Sequence, residues 1–350
     1  MNSIKECLEL KLLLGNDVVL DESTARLLLL IDKYGSILSA SKALGISYSS
    51  AWDAISRVER IIGSRVIERK RGARGGAVLT NVGKSLLEKY MEAYQRIFHK
   101  PFTFEEKPIP TIESIIYAGS HDIVLNHLLG LLGRQGYLVE HHWIGSLKGL
   151  SAVVLGEADL AGIHVFDPET QEYNVPIVKQ YGLGTEIVLI RGWQRSIGFA
   201  LRAEMSLDEV IEGLISGRLR FINRNKGSGT RRLFEYFLRN IAREKNIDVN
   251  ELRRRIKGYD NEVCTHNEVV EAIASGKADV GLVIGYLADT YKLHYIHFYW
   301  EYFDIVTQRD LLENKLSGLI DIMRSSGFRE FINNMKWYQT PRGIGEILLC

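Results

Sequence analysis

The sequence predicts an α/β protein with a helical N-terminal domain. Beyond about residue 112, apolar runs typical of buried strands alternate with helical stretches, and this alternation is typical of α/β folds. Before residue 99 the pattern is helical, apart from one short Gly-rich segment. The segment 99–111 holds three of the six prolines and no sustained apolar period, so we expect a linker there between domains 1–98 and 112–350. The strand-like runs are SIIYAG, ADLAGIHV, EIVLIRG, RFIN and ADVGLVIG.

Composition and charge narrow the class of protein. With 46% hydrophobic and 25% charged residues, the 350-residue chain lies in the ordinary globular range. No apolar run is long enough to cross a bilayer and the N-terminus lacks a signal-peptide core, so we expect a cytoplasmic protein with no membrane partner. The first 100 residues hold 16 Lys and Arg against 11 Asp and Glu, an excess that favours a polyanionic partner.

The cysteines and histidines predict no metal or redox site. Cys7, Cys264 and Cys350 are far apart and form no CxxC pair, so we expect free thiols. His141 and His142 fall on opposite faces of a predicted strand and cannot both reach one metal ion.

Residues 23–62 predict three successive helices, the last two in a helix-turn-helix arrangement. Apolar residues recur at helical spacing from Ser23 to Tyr34, and Gly35 ends this helix. In ILSASKALGIS, Gly45 permits the tight turn between two helices. Ser47 is expected to cap a helix that runs to about Ile62. The residues of this helix expected to face the core are Ala51, Ile55, Val58 and Ile62.

The outward face of this third helix suits the DNA major groove. Hydroxyls and Arg at the start of a recognition helix can meet base edges and phosphates. The alternative is a solvated helix face without a partner. The residues expected to contact double-stranded DNA are Ser47, Tyr48, Ser49, Ser50, Asp53 and Arg57.

A basic segment follows the helix-turn-helix. SRVIERKRGARGGAVLT places cations around a Gly-rich bend between two β-compatible stretches, which is typical of a β-wing whose cations reach phosphates or a minor groove. The expected DNA contacts of this wing are Arg69, Lys70, Arg71 and Arg74.

These two segments together resemble a known family. ISYSSAWDAI, followed by GARGGAVLTNVGKSLLEKY, resembles the winged helix-turn-helix of ModE-type repressors, which are akin to the LysR-type head, over about residues 20–95. The resemblance implies DNA binding as a homodimer and a packing role for Trp52. The helix 81–98 is a candidate dimer and linker helix; its alternative is packing onto its own head. ModE-type repressors continue with small β-barrel molybdate domains, and no such repeat of short strands follows here.

The C-terminal domain repeats its own plan. The turns 156–159 (GEAD) and 276–279 (GKAD) each follow a predicted helix and precede a buried strand, LAGIHV or VGLVIG. An earlier strand, turn and helix precede each turn. We therefore predict two lobes of similar build, about 112–190 with 305–350, and about 191–304.

The turns after the predicted strands offer an anion site. Helix N-termini beyond strand ends present free N–H groups and a positive dipole end. GSGTRR is the most specific of these segments, because its glycines permit close backbone approach and an Arg follows within one turn; the alternative for each hydroxyl is an ordinary helix cap. The candidate ligand-binding residues are Ser120, His121, Ser146, Arg224, Asn225, Gly227, Ser228, Gly229, Thr230, Arg231, Thr265 and His266.

This region resembles the type II periplasmic-binding-protein fold in its cytoplasmic form. The motifs GSHD, GSLKGLxAVxxGEADLAGIH and NRxKGSGTRxLF carry the resemblance, which spans about residues 113–340. It implies two lobes joined by crossing strands near Gly184–Gly192 and Tyr295–Thr307, with the ligand in the cleft between them. It also implies molybdate, tungstate or a molybdenum-cofactor-related compound as effector, and no resident cofactor.

Two alternatives to a molybdate-responsive regulator stay open. The regulator could sense another anionic metabolite, such as a phosphorylated or carboxylated one. An enzyme of molybdenum-cofactor metabolism with a DNA-binding head is disfavoured, because the sequence shows no nucleophile elbow, Walker loop or HExxH motif.

Overall fold

A computed structural model of the chain describes residues 9–69, 76–104, 114–180, 187–226 and 228–349. The chain divides into two compact units, Met1–His121 with Leu132–Ala161, and Asp122–Leu131 with Gly162–Cys350. No helix within the described ranges is both long and apolar enough to span a membrane.

The first unit opens with a helical head. A short antiparallel hairpin precedes three helices, a two-stranded ribbon and a longer helix. The helix-turn-helix forms as predicted, because Gly35 and Gly45 end α1 and α2 in the left-handed conformation that glycine accepts readily. The elements are β1 (Leu12–Leu14), β2 (Asp17–Leu20), α1 (Glu22–Tyr34), α2 (Ile37–Leu44), α3 (Tyr48–Ile62), β3 (Ile67–Arg69), β4 (Ala77–Leu79) and α4 (Asn81–Phe98).

Helix α4 packs mainly onto its own head. Leu87, Tyr90 and Tyr94 are buried, and the two tyrosine rings contact Phe102 with centroids 5.1 and 4.9 Å away. Ile97, which belongs to the stripe expected at a dimer interface, is 53% exposed. The described contacts therefore favour the packing alternative for most of this helix, and a dimer stays a prediction.

Beyond the head, strands and helices alternate. The next elements are β5 (Ile115–Gly119), α5 (Ile123–Arg134), β6 (Val139–Trp143), α6 (Ser146–Leu155) and β7 (Leu160–Ile163). In the first unit, β5 pairs in parallel with β6 and with β7. Gly149 lets α6 lie directly on β5, since a Cβ there would be 2.5 Å from the carbonyl oxygen of Ala118.

The second unit is built on two strands of 15 residues each, β8 (Ile187–Leu201) and β12 (His294–Gln308), which pair antiparallel. Neighbouring strands run in the order β10, β9, β11, β8 and β12, while β13 and β14 also pair with β8. The further strands are β9 (Phe221–Arg224), β10 (Glu262–Val263), β11 (Val280–Ile284), β13 (Tyr338–Gln339) and β14 (Ile347–Leu349).

Helices cover the sheet of the second unit. Their apolar faces meet a core that contains Phe199, Phe221 and Phe234, each at most 1% exposed. The helices are α7 (Val175–Gln180), α8 (Leu207–Ile215), α9 (Gly229–Glu244), α10 (Val249–Arg255), α11 (His266–Ala274), α12 (Gly285–Thr290), α13 (Arg309–Glu313), α14 (Leu319–Arg324) and α15 (Ser326–Asn333).

The predicted repeat of the two turns is confirmed by matching hydrogen bonds. The backbone amide of Asp159 donates to the carbonyl of Ile116 at 2.8 Å, and the amide of Ile116 donates to the Asp159 carboxylate at 2.7 Å. Asp279 and Arg220 make the same two bonds at 2.8 and 2.9 Å. Each aspartate therefore ties its turn to the first strand of its own repeat.

Candidate functional site

The start of α3 presents polar side chains to solvent. Ser47 caps the helix as predicted, because its hydroxyl accepts a hydrogen bond from the amide of Ser50 at 3.0 Å. Ser47, Ser50 and Asp53 are exposed and Ser49 is half-buried, so this part of the predicted outward face is confirmed. Asp53 also forms an ion pair with Lys148 of α6.

Tyr48 does not belong to that exposed face. It is only 2% exposed, and its ring packs against Trp52 and against His142, with centroids 6.2 and 4.9 Å away. The sequence placed Tyr48 outside because its neighbours are polar. That prediction is wrong, since the aromatic ring gains more free energy from burial than its single hydroxyl loses.

The Arg57 side chain also forms contacts within the helical head. Its Nη2 donates to the Thr24 hydroxyl at 2.8 Å and lies 3.4 Å from the Asp21 carboxylate, at the start of α1. These contacts occupy one nitrogen of a guanidinium that is 32% exposed, and the DNA contact of Arg57 stays a prediction. Arg69 is half-buried at the end of β3, and the other predicted wing cations, Lys70, Arg71 and Arg74, lie outside the described residues.

The turn at Glu157 contacts the helix-turn-helix. The buried Glu157 carboxylate accepts hydrogen bonds from the Ser36 hydroxyl at 3.1 Å and from the amides of Ile37 and Leu38 at 3.0 and 3.1 Å. These groups form the N-terminus of α2, where a carboxylate also meets the positive end of the helix dipole. Lys277, the residue at the equivalent position of the second repeat, is exposed.

A buried cluster of basic side chains lies in the second unit, and we call Arg195, Arg224, His164 and His266 the cationic cluster. Arg224 is the last residue of β9 and donates from Nη2 to the carbonyl of Cys264 at 2.7 Å, while its Nε is buried without a partner among the described residues. Burial and the nearby charge of Arg195 lower the pKa of Arg224 to about 10.

His266 is the first residue of α11. Both of its ring nitrogens are buried, and neither has a hydrogen-bond partner in the described part of the chain. Burial, followed by the charges of Arg224 and Arg195, holds the pKa of His266 well below its usual value. The imidazole is therefore neutral at neutral pH in the absence of an anion.

Arg195 anchors the cluster from β8. It is 1% exposed and lies between two carboxylates, with Nε 2.5 Å from Glu301 and Nη1 3.0 Å from Asp122. Nδ1 of His164 lies 3.4 Å from the other oxygen of Glu301. Burial by itself would raise the pKa of Glu301, but Arg195 and His164 outweigh it and keep the pKa below its usual value.

The start of α9 lies directly against His164. A Cβ on Gly229 would lie 2.5 Å from the carbonyl oxygen of His164, so only glycine fits there without a shift. Thr230 is 1% exposed, and its hydroxyl has no partner among the described residues. Ser228 precedes the helix without a side-chain cap bond, the Asn225 Oδ1 is buried and unbonded in the same part of the chain, and Gly227 lies outside the described ranges.

Two predicted ligand residues have other partners. Arg231 bonds to Glu235 at 3.2 Å and to Glu262 at 3.3 Å, and its guanidinium lies 4.5 Å from the centroid of the Tyr259 ring. Thr265 caps α11 in a reciprocal capping box with Glu268. Arg231 also donates to the carbonyl of Arg224 at 3.1 Å, so its ligand contact stays a prediction, while the capping box favours the ordinary-cap alternative for Thr265.

The first unit holds the remaining predicted ligand residues. The hydroxyls of Ser120, after β5, and Ser146, which begins α6, lie 2.9 Å apart. The His121 ring packs edge-on against Trp143 with a centroid distance of 4.8 Å. The two strand ends named from the sequence thus lie together within the unit, and their ligand contacts stay a prediction.

Sequence reasoning missed Arg195, Glu301 and His164. Arg195 and Glu301 lie inside the long strands β8 and β12, and His164 directly follows β7. A charged residue in a buried strand needs a buried partner. The charged residues within the predicted strands were therefore the sequence feature that could have revealed this cluster.

Comparison with known families defines the class of protein. The profile of the PBP superfamily domain matches residues 130–324, more than half of the chain, and the profile of the bacterial regulatory helix-turn-helix proteins of the lysR family matches residues 23–84. The chain therefore belongs to the PBP superfamily and carries a LysR-type DNA-binding head. It is a transcriptional regulator with a ligand domain.

Three individual relatives match different shares of the chain. YvgK of Bacillus subtilis (strain 168) is 29% identical over 233 residues, 66% of this chain and 71% of YvgK. The DNA-binding transcriptional dual regulator ModE of Escherichia coli (strain K12) is 40% identical over 117 residues, 32% of this chain and 40% of ModE. The molybdenum-pterin-binding protein MopB of Rhodobacter capsulatus is 35% identical over 82 residues, 21% of this chain and 30% of MopB. The chain thus spans well under half of the ModE and MopB relatives.

Proposed function

We propose that this regulator senses a small oxyanion at the cationic cluster. The observation that carries the proposal is the set of buried polar atoms without a partner among the described residues: Nε of Arg224, both ring nitrogens of His266 and the Thr230 hydroxyl. A buried donor left unbonded costs about 1–3 kcal/mol, so several in one place favour a site completed by a ligand. Arg195 is already paired with Glu301 and Asp122, so the positive charge that selects an anion is that of Arg224, which bonds to a backbone carbonyl.

The proposed ligand is molybdate or tungstate. A tetrahedral oxyanion presents several acceptor oxygens in a small volume, which suits guanidinium, imidazole and hydroxyl donors that converge from separate strand and helix ends. The relative MopB is a molybdenum-pterin-binding protein, which supports this choice over sulfate or phosphate. The alternative ligand, another anionic metabolite, would bind the same donors. Titration with a panel of anions distinguishes the two ligands.

The proposed output is DNA binding in the cytoplasm by a homodimer. The exposed start of α3, with Ser47, Ser49 and Ser50, would face base edges, and the basic segment that begins at Arg69 would contact phosphates. For regulation, the anion must bind the DNA-competent and the DNA-incompetent forms with different affinities.

Fluorescence anisotropy on genomic DNA fragments tests this function. We expect the ligand-stripped full chain to bind a subset of fragments, and molybdate to change that affinity about fivefold or more, the ordinary range for allosteric coupling. Ser50→Glu should weaken DNA binding by placing a negative charge beside phosphates, whereas Ser317→Glu, a matched change at an exposed residue of the second unit, should not. Equal DNA binding by both variants would exclude α3 as the recognition helix.

A further inference from the structure

A second charged pocket lies on the second unit, on a face of α9. It encloses about 420 Å³, and its walls include the rings of Tyr236 and Tyr259 and one carboxylate, Glu235. None of the four residues of the cationic cluster lines this pocket. The cations that line it are Lys226, Arg231, Arg232, Arg239 and Arg253.

The one carboxylate that lines this pocket accepts hydrogen bonds from three of the other lining residues. Glu235 accepts hydrogen bonds from Arg231 at 3.2 Å, from Arg253 at 2.6 Å and from the Tyr259 hydroxyl. These bonds fix the two arginines, and Glu262, 3.3 Å from Arg231, supplies a second carboxylate beside the pocket. Five lining cations against these two carboxylates leave a net positive charge in the pocket.

The charged side-chain groups of three of the cations have no hydrogen-bond or ion-pair partner in the part of the chain that the structure describes. They are Lys226 in the loop before α9, and Arg232 and Arg239 on the helix itself. Arg232 acts electrostatically on Asp167, but the two make no ion pair. Side chains held around a pocket and left unpaired are available for phosphate or carboxylate groups of a ligand.

The aromatic walls add a second chemical requirement. The Tyr259 ring already carries the Arg231 guanidinium on one side, and Tyr236 is held edge-on against Phe166 with a centroid distance of 5.3 Å. Rings fixed in this way are suited to stacking with a planar ligand. A volume of several hundred cubic ångströms exceeds what a bare oxyanion needs and matches sites for small organic ligands.

We propose that this pocket binds a phosphorylated heteroaromatic molecule of the nucleotide class, as a second effector site of the regulator. The phosphates bind Arg232, Arg239 and Lys226, and the ring stacks beside Tyr236. This site is independent of the proposed oxyanion site, since the two share no lining residue that either needs for its ligand.

Calorimetric titration of the full chain with GTP, ATP, GDP, pyrophosphate and phosphate tests the proposal. We expect a nucleoside di- or triphosphate to bind, and the double change Arg232→Ala with Arg239→Ala to weaken it about tenfold or more. Tyr236→Leu should weaken the nucleotide but not pyrophosphate. Arg243→Ala removes an exposed arginine one turn further along α9, outside the pocket, and should leave binding unchanged.

Each contrary result overturns the proposal. No nucleotide binding, or equal binding by the double variant, removes the site. If pyrophosphate binds as tightly as the nucleotide, the tyrosine rings do not contribute to binding. Loss of duplex DNA binding in the double variant, without a change in nucleotide binding, would assign these arginines to a DNA-contacting surface. Thr230→Val should leave nucleotide binding intact. Loss of oxyanion binding can therefore be distinguished from loss of nucleotide binding.

Discussion

The Glu157 carboxylate accepts a hydrogen bond from the backbone amide of Ile37 at 3.0 Å, and this bond joins the α/β part of the first unit to the helix-turn-helix. The same turn of the second repeat holds Lys277, which is exposed and makes no such contact. The first repeat therefore uses Asp159 to bind its own sheet and Glu157, two residues earlier, to cap α2.

Glu157→Gln should loosen the helix-turn-helix. Three donors share the two carboxylate oxygens, and an amide offers only one acceptor, so at least one backbone N–H of Ile37 or Leu38 loses its partner. We expect a loss of about 1–3 kcal/mol and faster hydrogen exchange in α2. Lys277→Gln is the matched control at the equivalent turn. Unchanged exchange in α2 would show that the cap contributes nothing to the stability of the head.

Asp279→Asn should destabilise the second unit in a pH-dependent way. Hydrogen bonds and charge from Arg220 lower the pKa of Asp279 to about 2, below its ordinary 3.8. The native state therefore releases this proton more readily than the unfolded state. The stabilisation is complete well above pH 3.8 and is lost as the pH falls towards 2.

Urea unfolding of both proteins at several pH values checks this prediction. The difference between wild type and variant should be largest at pH 6 and fall to about half of that value at pH 3. A difference that stays constant between pH 6 and pH 3 would contradict the assigned coupling of Asp279 to Arg220.

Thr230→Val should preserve or raise the stability of the ligand-free protein. The Thr230 hydroxyl is buried and unbonded within the described ranges, and valine keeps the shape while removing the unsatisfied polar atom. We expect a gain of up to about 1 kcal/mol together with weaker molybdate binding. Thr290→Val, which removes a hydroxyl bonded to the carbonyl of Tyr286, is the control. A large loss of stability in Thr230→Val would indicate an ordinary structural hydroxyl.

Oxyanion binding should take up protons. Burial lowers the pKa of both His164 and His266; Arg195 and Arg224 lower it further, and Glu301 opposes them at His164. A bound anion favours the charged imidazole, so the affinity should rise as the pH falls from 8 to 6. Calorimetry in PIPES and in Tris, whose ionisation enthalpies differ, measures the uptake directly. Binding without proton uptake, and with equal affinity across this range, would place the anion away from both histidines.

Local features were predictable from the sequence, and contacts distant along the chain were not. Ser47, Gly35 and Gly45 act within a few residues of themselves, so their caps and turns follow from residue type alone. The close approach at Gly229 was predictable, whereas its neighbour in space, His164, comes from 65 residues earlier. Arg231 was assigned to the ligand because it follows the glycines, but helical geometry turns it towards Glu235.

The most direct test of the central claim is calorimetric titration of the purified, ligand-stripped full chain with molybdate, tungstate, sulfate and phosphate, with Thr230→Val and Arg224→Gln in parallel. The account predicts one tight site for molybdate and tungstate that both substitutions weaken. No binding by any of the four anions, or equal binding by wild type and both variants, would contradict an oxyanion site at the cationic cluster.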